Sequence, residues 1–245
     1  MNIEIIMFFY NMNTNILFYL IFMILLFIII NKNSKLFDLN YNNYMIVCAK
    51  YNRDVSFLQK IKYINSVVIT KNVDVPNKAH EATSYLYYII NNYNNLPENI
   101  IFIHDEDESW HHTGKISKNI YKWISEYESN GSTYFEFNNT IIPKVIKDRE
   151  PLVYDVFNLY WNDLLQESCG DYINSGPETG KCCAQFIVSR DIIKQRPIKF
   201  YQNMYNWLIN NTHGEGNGDK NDPYSGYYTS RYAEWTWRNI FNNKK

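Results

Sequence analysis

Hydrophobic and polar positions fall into two kinds of block along this chain, short apolar runs and stretches of helical spacing. Both follow a first block that is apolar throughout. Residues 16–30 are an unbroken run of fifteen apolar residues. At 1.5 Å per residue that is roughly 22 Å of helix, short of the ~30 Å hydrocarbon core of a bilayer. Extending it back to Met7 completes a span only by enclosing Asn11, Asn13, Thr14 and Asn15. Glu4 is the only charge ahead of the run, and residues 31–35 contain no small-x-small cleavage pattern. An uncleaved signal anchor is therefore predicted, with residues 1–35 as membrane anchor and flank.

Residues 36–245 have the size of a single α/β domain. A buried strand is predicted over 44–49 (YMIVCA), with Asp54 placed to cap a short helix ending near Ile61. A second, β-branched strand covers 66–70 (SVVIT). Helical spacing then links Ala79, Ala82, Leu86, Ile89, Ile90 and Tyr93, and Pro97 follows. A third buried strand covers 99–104 (NIIFIH). Ile116, Ile120, Trp123, Ile124 and Tyr127 mark one face of an amphipathic helix. Alternating strands and helices predict βαβ units in a mostly parallel, Rossmann-type sheet flanked by helices. Further along, 131–146 reads as extended, 155–165 as a helix and 182–189 as a strand. Two helices close the chain around a polar loop at 210–226.

Charge and composition narrow the functional classes. The chain has 24 Lys+Arg against 25 Asp+Glu, which excludes nucleic-acid binding by bulk positive charge. Aromatic residues reach 17% and Asn comes in clusters, as AT-rich codons produce in some large DNA viruses and protists. Single aromatics and the sequons at Asn130, Asn138 and Asn210 carry correspondingly little weight. Lys32, Lys35, Lys50 and Arg53 follow the apolar run and no basic residue precedes it, which places the domain in the cytoplasm by the positive-inside rule. Four cysteines fit a reducing compartment, whereas the sequons would suit a lumen. The sequence predicts a single-pass membrane protein with the bilayer as partner through 16–30, and leaves its topology open.

In open α/β sheets ligands bind at the carboxyl ends of parallel strands. Three segments fall there: 50–54, 71–77 and 104–112. The last contains four consecutive acids, Asp105 to Glu108. Asp105 and Asp107, two apart after an apolar strand, could both reach one hard cation, Mn²⁺ or Mg²⁺, that neutralises a diphosphate. The alternatives are a solvated acidic loop, or a metal-dependent hydrolase using His104, Asp105, His111 and His112. Asn77, His80 and Glu81 open the helix after the second strand and lie beside the same edge. The plainer reading is capping by Asn77 with His80 and Glu81 exposed. Glu234 is the candidate base for an acceptor hydroxyl, with Asp191 a weaker one. His213 lies in a glycine-rich loop that could close over a donor and add a metal ligand, or could simply connect two helices. Trp110, Trp207 and Trp235 could stack on a sugar or pack in the core.

Several segments carry a resemblance: Cys48 to Asn52, Pro76 to Leu86, Asn92 to Pro97, Ile100 to His104, Ala184 to Ser189, and Glu234 to Trp237. Together they resemble a eukaryotic and viral family of unknown function that is similar to GT-A-type glycosyltransferases, over roughly residues 44–241. The resemblance implies a GT-A-like fold and a nucleotide-sugar donor with a hydroxyl acceptor. It also implies that Tyr51 and Asn52 lie near the nucleotide, Asp105 and Asp107 near the metal, and an acidic residue near the C-terminus. The family commonly has Gly two positions after the Asn, where this chain has Ala79. A non-catalytic membrane or virion protein with a degraded transferase fold is the further alternative.

Overall fold

Strands form where the apolar runs are longest. The computed structural model describes residues 18–19, 21–27, 40–139, 141–143, 151–170, 179–181 and 184–241. Its strands are β1 (Tyr44–Lys50), β2 (Asn65–Thr70), β3 (Asn99–His104), β4 (Tyr134–Glu136), β5 (Ile141–Pro143), β6 (Thr179–Lys181) and β7 (Phe186–Ser189). The helices are α1 (His80–Asn92), α2 (Ile116–Ser129), α3 (Pro151–Leu164), α4 (Gln166–Cys169), α5 (Arg190–Lys194), α6 (Ile198–Asn211) and α7 (Gly226–Phe241). Val55, not Asp54, is the residue that opens the 3-10 turn Ser56–Lys60, and Asp54 just before it accepts from the Ser56 amide at 3.0 Å.

β1 pairs in parallel with both β2 and β3. Ile46, Val47, Cys48 and the four residues from Ile100 to Ile103 are all 0% exposed, as continuous apolar runs covered on both faces require. Val47, Ile100 and Phe102 share a core with α1, α3, α6 and α7. Tyr85 of α1 packs tilted against Phe102, ring centroids 4.6 Å apart, and donates its hydroxyl to Ala184 O at 2.8 Å. The alternate residues face the other side. There α2 is tied to β3 by the Tyr127 hydroxyl, which donates to Asn99 Oδ1 at 2.8 Å.

The mostly parallel sheet expected from the sequence is instead mixed. β7 runs antiparallel to both β3 and β4, giving the order β2–β1–β3–β7–β4. The route of the chain explains it. After β4 the chain passes through the β5–β6 ribbon, α3 and α4, and it re-enters the sheet at the end of β3 opposite to β3's own start. An apolar strand run specifies burial but carries no direction. The sequon residue Asn138 is 0% exposed, with its side-chain amide donating to Gln185 O at 3.4 Å, so it does not present itself for glycosylation.

The chain divides into two units, Met1–Asn40 and Tyr41–Lys245. In the first, residues 18–19 and 21–27 are helical and expose their apolar side chains, from Phe18 (70%) to Phe27 (65%). Among the described residues no helix is long and apolar enough to cross a membrane. The remainder of the predicted anchor lies outside the described residues.

Candidate functional site

Three strand ends meet at one edge of the sheet. The register sets Lys50 beside Thr70 and Ala49 beside His104. Lys71 extends the ladder by donating its amide to Lys50 O at 2.8 Å. β2 and β3 lie on opposite sides of β1, so the winding reverses between β1 and β3. That reversal is where open α/β sheets leave a crevice. A cleft of about 420 Å³ occupies it. Strand ends supply Lys50, Tyr51, Lys71, His104 and Asp105. The start of α1 supplies Asn77, His80 and Glu81, and the loop before α7 supplies Gly216 and Asn217.

The start of α1 is strained. Ala79 (φ 47°) and His80 (φ 41°) are both left-handed, a conformation that costs roughly 1–2 kcal/mol for each non-glycine residue. Ala79 is fully buried. Asn77 does not cap α1. Its amide donates to Asn72 Oδ1 at 3.2 Å, and its carbonyl accepts from Gly216 N at 3.1 Å. The Gly216 bond makes the 212–226 loop a wall of the cleft. Gly226 permits this approach, because a Cβ there would lie 1.8 Å from Gly216 O.

The cleft floor concentrates buried ionisable groups. Side chains of Glu81 and His104 are 10% and 18% exposed, with Glu81 Oε2 4.0 Å from His104 Nε2. Glu234, on α7, lies outside the cleft lining, near enough for the charge of Glu81 to act on it. Burial and the charge of Glu81 push the Glu234 carboxyl well above its usual range, with Arg231 opposing. At Glu81 burial works upward, but the charges of His104 and His80 outweigh it and hold the group low. Lys71 is 5% exposed and donates to Lys78 O at 3.2 Å and to Thr83 Oγ1. Burial brings its ammonium down to about 7, against the pull of Glu81. Burial likewise lowers His80, with Glu81 opposing.

The acidic run behaves differently. Asp105 Oδ2 accepts from the amides of Tyr51 (2.8 Å) and Arg53 (3.2 Å), building the turn after β1. Asp107 turns to the start of α2, where its two oxygens accept from Ser117 N and Ser117 Oγ, each at 2.8 Å. Glu106 pairs with Arg53 at 3.1 Å and Glu108 with Lys115 at 3.2 Å. A hard cation needs carboxylate oxygens turned toward it. As placed, Asp105 and Asp107 do not share one, because Asp107 is occupied as a helix cap. His213 does not join them either, since its Nδ1 lies 2.8 Å from Asp222 Oδ2 on the exposed loop. Among the described residues no three His, Cys, Asp or Glu side chains are grouped to hold a metal ion. His112 packs edge-on against Trp123 at 5.4 Å, away from the arrangement a His/Asp hydrolase needs.

The structure thus brings Tyr51, Asn77, His80, Glu81 and Asp105 together, sets Glu234 outside the cleft lining, and leaves Asn52, Asp107 and His213 apart. Asn52 is exposed on the turn beyond Tyr51. Asp191 is exposed beside Arg190. Trp207 and Trp235 pack against Tyr160 (5.0 Å) and Phe157 (5.7 Å), while Trp110 is 72% exposed. Lys71 was not singled out from sequence, although its segment was. A lone basic residue directly after a β-branched strand was the available signal.

These features define a mixed α/β domain with a charged cleft at its topological switch point. The chain belongs to the family described as protein of unknown function (DUF3431), whose model matches residues 45–245. Neither a curated protein nor a solved structure matches it.

Proposed function

We propose that the protein is a glycosyltransferase-like enzyme that holds a nucleotide-diphosphate sugar in the switch-point cleft and transfers the sugar to a hydroxyl acceptor. The observation that carries this reading is the cleft between β1 and β3 with the largely buried carboxyl of Glu81 at its floor. A transfer to a hydroxyl needs a group to take the hydroxyl's proton, and a recessed carboxylate supplies it. Lys71 and the rim residue Lys50 offer positive charge to the donor's phosphates, and Asn77 and the Gly216–Asn217 wall frame its nucleoside. No step is assigned to Mn²⁺ or Mg²⁺; Asp105 is the one predicted metal carboxylate at the cleft. The apolar 16–30 segment, helical and exposed where described, supports anchorage to a bilayer as a single-pass protein.

The test is release of nucleoside diphosphate from a panel of nucleotide sugars by the full chain in detergent. It is run with Mn²⁺, with Mg²⁺ and with a chelator. Turnover of at least one donor, lost when Lys71 becomes Met, is the expected result. No turnover and no binding across the panel in all three conditions would defeat the proposal.

A further inference from the structure

Lys71 meets the cleft with a hydrogen-bond set that suits an amine rather than an ammonium. Its Nζ donates to Lys78 O at 3.2 Å and to Thr83 Oγ1, and neither partner is charged. The Thr83 hydroxyl sends its own proton to Lys78 O at 2.8 Å, which leaves its oxygen to accept from Lys71. An ammonium has three N–H donors, whereas an amine has two and a lone pair. Among the described residues two acceptors meet Nζ, so an amine is satisfied there and its lone pair is left over. The side chain is 5% exposed, and a buried ammonium bonded to no carboxylate is costly. Burial accordingly brings the group down to about 7, even with the charge of Glu81 nearby. A desolvated amine on the lining of a cleft is a nucleophile.

We propose that Lys71 captures a small polyhydroxy aldehyde or ketone in the cleft as a Schiff base. The inference goes beyond the transferase reading and does not rest on it. A phosphate entering the cleft offers Nζ a third acceptor and so favours the ammonium; carbonyl capture belongs to the cleft without that anion. In the capture step the Nζ lone pair forms a bond to the carbonyl carbon, and the π pair of the carbonyl moves onto its oxygen. That oxygen then leaves as water, carrying one proton from Nζ and one from solvent. The product is an iminium, and its remaining N–H keeps one of the two acceptors. Its positive charge falls where the charge of Glu81 already acts on Lys71. The cleft, about 420 Å³, has room for a compound of several carbons, and Asn77, His80 and Asp105 on its lining offer partners to hydroxyls.

Reductive trapping tests the capture. Full chain in detergent, in an amine-free buffer at pH 7, is mixed with glyceraldehyde and cyanoborohydride, and the labelled lysines are mapped by peptide mass spectrometry. Lys71 should be the first lysine labelled, roughly 100-fold faster than Nα-acetyl-lysine under the same conditions, because an ordinary lysine holds far less amine at that pH. Lys71→Met should lose the fast adduct while surface lysines keep their slow ones; mapping in the wild type gives the site even where that variant fails to fold. Formaldehyde, the smallest aldehyde, is run alongside to separate reactivity from the choice of ligand. Labelling of Lys71 no faster than Nα-acetyl-lysine with both reagents, or labelling of the rim residue Lys50 ahead of it, would overturn the nucleophile. Fast labelling by formaldehyde alone would overturn the polyhydroxy class of ligand. Wild-type protein that traps glyceraldehyde at Lys71 and turns over no nucleotide sugar keeps this inference and loses the transferase reading.

Discussion

The chain carries acid in two contrasting places. The run from Asp105 to Glu108 is contiguous in sequence and lines one open hollow, yet each member is held by its own local partner. One builds a turn, one caps a helix, and two pair with exposed cations. Glu81 and Glu234 are far apart in sequence, yet the packing of α7 on α1 sets them where the charge of one acts on the other. The contrast teaches that charge density along a chain marks solvation more readily than chemistry. An exposed carboxylate near a lysine keeps its ordinary behaviour and contributes little. A carboxyl removed from water beside a second carboxyl must resolve which of the two is charged, and that conflict is what makes a group chemically useful.

The largest expected difference between the two regions lies in turnover. Glu81→Gln should reduce donor turnover by about 100-fold or more, while Glu108→Gln and Glu108→Ala leave it nearly unchanged; steady-state kinetics of the three variants checks this. Similar losses in all three would erase the distinction.

Next in size is a pH effect at Lys71. Its folded-state pKa of about 7 lies below the unfolded value of 10.5, so the unfolded chain binds the extra proton between them. Stability contributed at this site therefore rises with pH. Measured by urea unfolding, wild type should gain about 2 kcal/mol relative to Lys71→Met between pH 7 and 8.5. Lys115→Met, which removes only the exposed partner of Glu108, should show no such slope.

Smaller again is the effect of Asp107→Ala, which removes the acceptor for both Ser117 donors and should cost about 1 kcal/mol, as loss of a helix cap does. An equal loss of donor binding in that variant would restore Asp107 to the site. The smallest effect has the opposite sign. Ala79→Gly relieves a left-handed alanine and should stabilise by about 0.5–1 kcal/mol, visible as a modest rise in Tm.

Much of this architecture was legible in the sequence. Apolar runs located β1, β2 and β3, and helical spacing located α1 and α2, because both are set by local burial. The strand-end rule then led to Asn77, His80, Glu81 and Asp105, and the family resemblance to Tyr51. What the sequence could not supply was direction and depth. The antiparallel entry of β7 depends on a long excursion whose path no local pattern encodes. An Asp-x-Asp spacing does not say which way the second carboxylate turns, and Ser117 at the start of α2 claims it. Glu234 was noticed as an acid among aromatics, but its place behind Glu81 depends on α7 packing against α1. Lys71 reads as an ordinary surface lysine until the fold buries it.

Amide NMR of the full chain titrated with ADP, GDP, CDP and UDP tests most directly whether the cleft, and not the acidic run, is the ligand site. The account predicts that at least one nucleotide moves the amide signals of Lys71, Asn77 and Gly216 and leaves those of Glu108 and Ser117 in place. Movement confined to residues 107–117, with the cleft amides unchanged, would contradict it.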